Sequence, residues 1–137
     1  MKVFIKDKRL VISKKINSPA ERIWEIITDT CLWKKWGPSV SGVSSDNRYI
    51  SEGSKGLIKI YPGFYLRYEI TSFKYGQYWG WKVEGVNATG HFLFPLNDKK
   101  TVLAFDMPVF TPFYLLVCAV ALGRIKKIAE DKSISGC

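Results

Sequence analysis

With 137 residues, 47% of them hydrophobic and 15% aromatic, the chain can bury one core but not two of ordinary size, and its composition excludes a disordered segment. A net charge of +9 brings anionic partners into view, but the lysines are scattered in pairs such as Lys14-Lys15, Lys34-Lys35, Lys99-Lys100 and Lys126-Lys127. Without an arginine-rich run, zinc-knuckle spacing or an aromatic-basic platform string, no specific nucleic-acid reader is expected, and the charge is read as solubility.

Along the chain, the first strand is expected over Arg9 to Ile16, where Leu10, Ile12 and Ile16 alternate with Val11, Ser13 and Lys15. Residues 1–8 either extend it or pair separately as a short edge strand, with Lys6-Asp7-Lys8 as the bend. Next comes "NSPAERIWEIITDTCLWKKWGP". Asn17 or Ser18 can cap a helix, Pro19 suits its first turn, and Glu21 could complete a capping box with Ser18. Ile23, Trp24 and Ile27 form the apolar stripe of a helix from about Pro19 to Asp29, with Glu21, Arg22, Glu25 and Asp29 facing water. A second short helix, Leu32 to Trp36, stops at Gly37-Pro38.

Beyond Pro38 the pattern becomes alternation broken by turn residues. Strands are expected at Val40 to Ser45, Lys55 to Tyr61, Phe64 to Phe73, Gln77 to Glu84, Ala88 to Leu96 and Thr101 to Met107. Their short separators join antiparallel neighbours, so a meander of six to seven strands is implied. The loop Asp46 to Ser54 and the turn Pro62-Gly63 are the expected mobile rims.

A helix from Pro112 to about Lys132 follows, with Tyr114, Val117, Cys118, Ala121, Ile125 and Ile128 at helical spacing, and 133–137 as a flexible tail. Its opposite face carries Phe113, Leu116 and Val120, which the segment Met1 to Lys8, a homodimer partner or a membrane surface could cover. The apolar run from Val109 to Leu122 is broken by Thr111 and Pro112 and is shorter than the ~20 residues of a membrane span. No secretory h-region opens the chain. Three cysteines, Cys31, Cys118 and Cys137, lack metal-ligand spacing and point to free thiols in a reducing, cytoplasmic setting.

The class is therefore α+β: a strongly twisted antiparallel sheet with one apolar face, two short helices after its first long strand, and a long terminal helix across that face. Alternation places Phe64, Leu66, Tyr68 and Ile70 inward on one strand, Trp79, Trp81 and Val83 on the next, and Leu103, Phe105 and Met107 on the last, with Ile58 and Ile60 beside them. Val117, small Cys118 and small Ala121 face this surface from the helix and favour a pocket, although aromatic side chains could close it. Nothing ionisable falls on these inward sets, so no confident catalytic residue emerges. His91 is the one candidate: both alternating sets of "ATGHFLFPL" are apolar, which leaves its register open, and a hydrogen-bonded histidine on the sheet surface is the preferred reading. A lone histidine also argues against a metal site, and no nucleotide-, serine-hydrolase- or zinc-protease signature occurs, so no cofactor is expected.

The order of elements, with "INSPAERIWEIITDTCLWKKWGPSV" and the "EGSKG" before a strand, resembles the START-related, Bet v 1-like (SRPBCC) superfamily, specifically its polyketide cyclase/dehydrase-type members. The resemblance runs from about Arg9 to Lys132. It implies the helix-grip fold as a single domain, 1–137, with a cavity between sheet and terminal helix that takes lipids, polyketides or other apolar ligands. The partner expected is thus a hydrophobic small molecule. A cyclase or aromatase-like enzyme, with His91, Tyr68 or Tyr61 handling protons, is the alternative, and a membrane-surface or protein adaptor the third.

Overall fold

The computed structural model describes residues 1–109 and 114–131. Alternating apolar and polar side chains carry the chain through β1 (Lys2–Lys6), β2 (Arg9–Ile16), β3 (Val40–Ser45), β4 (Lys55–Ile60), β5 (Phe64–Lys74), β6 (Tyr78–Val83), β7 (Val86–Asn97) and β8 (Lys100–Pro108). All pair antiparallel in one sheet of order β1-β2-β8-β7-β6-β5-β4-β3. The sheet thus has eight strands where six to seven were expected, because residues 2–6 form a separate edge strand instead of extending β2. Asp7 and Lys8 make the two-residue turn, both at positive φ (50° and 62°), the backbone twist that a tight hairpin requires. Register shifts at Ile70/Ser72, Gly80/Lys82 and Pro95/Asn97 add the local twist that bends a sheet around its concave face.

Between β2 and β3 lie α1 (Ala20–Thr28), a 3₁₀ turn (Thr30–Leu32) and α2 (Trp33–Trp36). Pro19 is the N-cap of α1 and no side chain caps it, so the expected Ser18–Glu21 box does not form; the Ser18 hydroxyl turns to the Pro19 carbonyl at 3.4 Å. Ile23, Trp24, Ile26 and Ile27 are buried. Asp29 does not face water as expected. It is 2% exposed and accepts both Nε and Nη2 of Arg48 at 3.0 and 2.9 Å, while its Oδ1 also accepts the Cys31 backbone N–H. The Arg48 carbonyl accepts from Thr30, and the Ile50 amide donates to Thr28. These bonds tie Arg48 and Ile50, in the loop expected as a rim, to the end of α1.

The terminal helix α3 (Tyr114–Glu130) lies on β2 and β8 and against α1 and α2. It buries Cys118, Ala121, Leu122, Ile125, Ile128 and Ala129. The expected starting residues Pro112 and Phe113, the end at Lys132 and the tail 133–137 lie outside the described residues. Arg22 of α1 closes the other end: Nε donates to the Ala129 carbonyl at 2.7 Å, and Nη2 to those of Ile128 and Asp131 at 2.9 and 3.0 Å. Leu116 is 75% exposed and Val120 44%. The amino-terminal segment is spent on β1, whose own residues are all exposed, and does not cover this face. Among the described residues no helix is long and apolar enough to cross a membrane. Cys31 is disulfide-bonded and Cys118 is a buried free thiol, which corrects the expectation of free thiols at Cys31; cysteine count and spacing cannot reveal which sulfurs the fold brings together.

Candidate functional site

The concave face is filled from one end by aromatic rings. Trp33 of α2 donates its indole N–H to the Ile27 carbonyl at 3.0 Å, stacks on Trp79 at 5.5 Å between ring centroids, and meets Tyr68 and Trp81 edge-on. Trp36 donates to Ile26 at 3.3 Å and lies over His91 and Phe105. Two close tryptophans after α1 therefore serve as the plug between the short helices and the sheet. Their indole donors are satisfied by the last turn of α1, which is why they sit so soon after it.

Two adjoining hollows remain beyond this plug. The inner one, about 50 Å³, is lined by Trp36, Trp79, Trp81, Thr89, His91, Phe105, Val117, Cys118 and Ala121, among others. The outer one, about 370 Å³, is bounded by Ile58, Ile60, Leu66, Trp81, Val83 and Met107 from the sheet, with Val40, Val86, Ala88 and Pro108 around its opening. Ser39, Val40, Trp81, Thr89 and Tyr114 border both. Of the residues singled out in the sequence, Tyr68, Ile70 and Leu103 line neither hollow and are buried. Phe64, expected inward, is 63% exposed because it stands at the β4–β5 turn, past the end of the covered face. The small helix residues Cys118 and Ala121 open only the inner hollow; the larger space lies toward the β4–β5 side. None of the residues 46–54 lines it.

Sequence reasoning missed Ser39, Thr89 and Tyr114. Thr89 had a readable signal, since it shares a face with His91 two residues on, once the register of β7 is known. That register differs from the preferred sequence reading. His91 points inward, is 2% exposed, and stacks on Trp79 with centroids 3.8 Å apart, while Phe105 meets it edge-on at 4.7 Å. The physical reason is packing: Thr89, His91 and Leu93 face the core, while on the outer face Phe92 stacks with Tyr78 on one side and with Phe94 on the other. Two apolar sets competed for one core, and the smaller, flatter set fits beneath Trp36.

The polar groups of the site form two short arrays. Trp81 Nε1 donates to Thr89 Oγ1 at 3.0 Å, Thr89 Oγ1 lies 3.3 Å from His91 Nε2, and His91 Nδ1 lies 3.2 Å from the Trp79 carbonyl. Burial pushes the His91 imidazole down to about 3, with the Trp79 carbonyl opposing only in part, so the ring is neutral near pH 7. Tyr114 and Ser39 form the second array, a side-chain hydrogen bond at the junction of the hollows; burial nevertheless raises the Tyr114 phenol above its ordinary value. Burial likewise pushes the Cys118 thiol up to about 12, which keeps it protonated and unreactive. Among the described residues no three His, Cys, Asp or Glu side chains gather as a metal site would require.

The model of a family described as "Polyketide cyclase / dehydrase and lipid transport" matches residues 8–124. No curated protein matches the chain. Among solved structures, a conserved Enterococcus faecalis protein of unknown function superposes with a TM-score of 0.69 at 17% identity, covering 98% of this chain and 80% of its own. A Bacillus cereus protein gives 0.70 at 11%, covering 93% and 99% respectively. An aromatase/cyclase from Streptomyces gives 0.69 at 11%, covering 93% and 96%. At such identities these likenesses concern the helix-grip fold.

Proposed function

The chain belongs to the polyketide cyclase/dehydrase and lipid-transport family, and from that premise we propose that it binds one hydrophobic or aromatic small molecule between its sheet and α3. The observation that carries this reading is the outer hollow: about 370 Å³, walled by Ile58, Ile60, Leu66, Val83 and Met107, with Ser39, Asn87, Thr89 and Tyr114 as its few polar lining residues. Small-ligand sites of ~300–1,000 Å³ have this makeup, an apolar wall with a few placed hydrogen-bonding groups.

The chemistry of the interior favours holding over turnover. A general base works best with a pKa near the operating pH, and His91 at about 3 is far below it, with both ring nitrogens already engaged. Tyr68 is buried with its phenol raised, and Tyr61 is 67% exposed on the β4–β5 turn. The enzymatic alternative, cyclisation of an aromatic precursor, draws its support from His91 lying at the blind end of the cavity.

Native mass spectrometry of the purified protein tests the binding reading. An apolar molecule at unit stoichiometry is expected, and its occupancy should fall in Val83→Trp, whose larger side chain takes up part of the outer hollow while preserving the strand. A wild-type protein that carries no such molecule and takes up no apolar probe overturns the proposal. For the alternative, loss of turnover of a cyclisable polyketide in folded His91→Gln would be the supporting result.

A further inference from the structure

We infer that the bound molecule presents a hydrogen-bond donor, the hydroxyl of a phenol or alcohol, to Thr89 Oγ1, and that an otherwise equal ether is held less well at this point. The inference rests on the cavity reading above and concerns which ligand the cavity prefers.

It follows from the direction of one buried chain of hydrogen bonds. Its two ends are fixed by chemistry: an indole N–H can only donate and a backbone carbonyl can only accept. Trp81 Nε1 therefore donates to Thr89 Oγ1 at 3.0 Å, and the Trp79 carbonyl, 3.2 Å from His91 Nδ1, requires a proton on that nitrogen. A neutral imidazole has only one N–H. Its Nε2 is then an acceptor, and the Thr89 hydroxyl, 3.3 Å away, must supply the proton between them. The reverse assignment would set the Nδ1 lone pair against the carbonyl lone pairs, and a doubly protonated ring would bury a charge among Trp79, Trp36 and Phe105.

Thr89 has thereby spent its only proton on His91 and one of its two acceptor sites on Trp81. What remains is one acceptor site, on a residue that is 9% exposed and borders both hollows. A ligand hydroxyl can fill it. An ether or carbonyl oxygen there meets lone pairs with no proton between, and a buried acceptor left without a donor is costly. His91 acts here as a positioning residue that sets the polarity of Thr89.

Two measurements test this. Quenching of tryptophan fluorescence gives Kd for 1-naphthol and for 1-methoxynaphthalene in wild type, Thr89→Val and Thr89→Ser, with thermal melts confirming that each variant is folded. The ratio of the two Kd values should move about three- to tenfold in favour of the methoxy compound in Thr89→Val, the span of one hydrogen bond, and stay at the wild-type value in Thr89→Ser. An unchanged ratio in Thr89→Val overturns the inference while leaving the cavity reading standing; a preference created at the Ser39–Tyr114 pair would behave in that way. Binding of neither probe overturns the cavity reading itself. The second measurement needs no variant: the ¹⁵N shifts of His91 in the wild-type protein should report the Nδ1–H tautomer, and an Nε2–H tautomer reverses the chain and overturns the inference.

Discussion

Stacked on Trp79 and enclosed by Trp36 and Phe105, His91 couples the cavity to pH through stability. Its folded-state pKa of about 3 lies below the ordinary histidine value of 6.5, so between these values the unfolded chain binds the extra proton. The native state is therefore favoured fully above pH 6.5 and loses stability as pH falls toward 3. The slope approaches ~1.4 kcal/mol per pH unit within that window. Urea unfolding of wild type and His91→Gln from pH 4 to 8 should show this slope in the difference between the two profiles, since the carboxylates are common to both; parallel profiles would mean that the ring is accessible to protons in the native state. Gly56 makes a second prediction at this scale. A Cβ there would lie 2.4 Å from the Ser44 carbonyl and 2.7 Å from the Tyr68 hydroxyl, and the first of these is backbone that cannot swing away. Gly56→Ala should cost about 1–3 kcal/mol by overpacking, read as a lower urea midpoint with an unchanged m-value.

At the scale of elements, the junction of α1 and α3 does the work that a cap would do. The last carbonyls of a helix have no partners within it, and a guanidinium satisfies them while complementing the negative end of the helix dipole. Arg22 reaches three such carbonyls and joins elements more than a hundred residues apart in sequence. Arg22→Ala should destabilise by about 1–2 kcal/mol, a figure that allows for the partly exposed position. Hydrogen exchange should then speed up in the last turn of α3 before it does in β7 or β8. The same junction is reinforced by Glu130, which accepts the Asn17 amide at 2.8 Å and pairs with Lys126. Lys126, then the Asn17 amide, hold the Glu130 carboxyl below the usual range.

For the molecule as a whole, the division of labour along the sheet explains why a cavity exists at all. One end is filled by Trp33, Trp36, Trp79 and Phe105, which are nearly or fully buried, while the other is lined mainly by aliphatic side chains, with Trp81 and, from α3, Tyr114 at its border. Filling that end with ligand should stabilise the fold by mass action, about 2.7 kcal/mol at a hundredfold excess over Kd. A calorimetric Tm that rises with probe concentration in wild type, and rises less in Val83→Trp, is the expected result. The exposed Leu116 on the far side of α3 makes no comparable contribution. Leu116→Ser should change unfolding free energy by no more than ~0.5 kcal/mol.

Much of this was legible in the order of residues. Periodicity marked α1, α2 and the strands β2 to β8 to within a few residues, because side chains that share a face repeat at 2 or 3.6 positions whatever lies opposite. The tryptophan pair and the apolar inward sets were readable for the same reason. The buried Asp29, the tethered loop, the Cys31 disulfide, the clamp by Arg22 and the register of β7 were not, since each depends on a partner distant in the chain. Local sequence determined that an antiparallel sheet with one apolar face would meet a long helix. Only the tertiary structure decided which of two apolar sets on β7 entered the core, and with it that Thr89 and His91 face the cavity, because that choice turns on the shape of the rings packed against them.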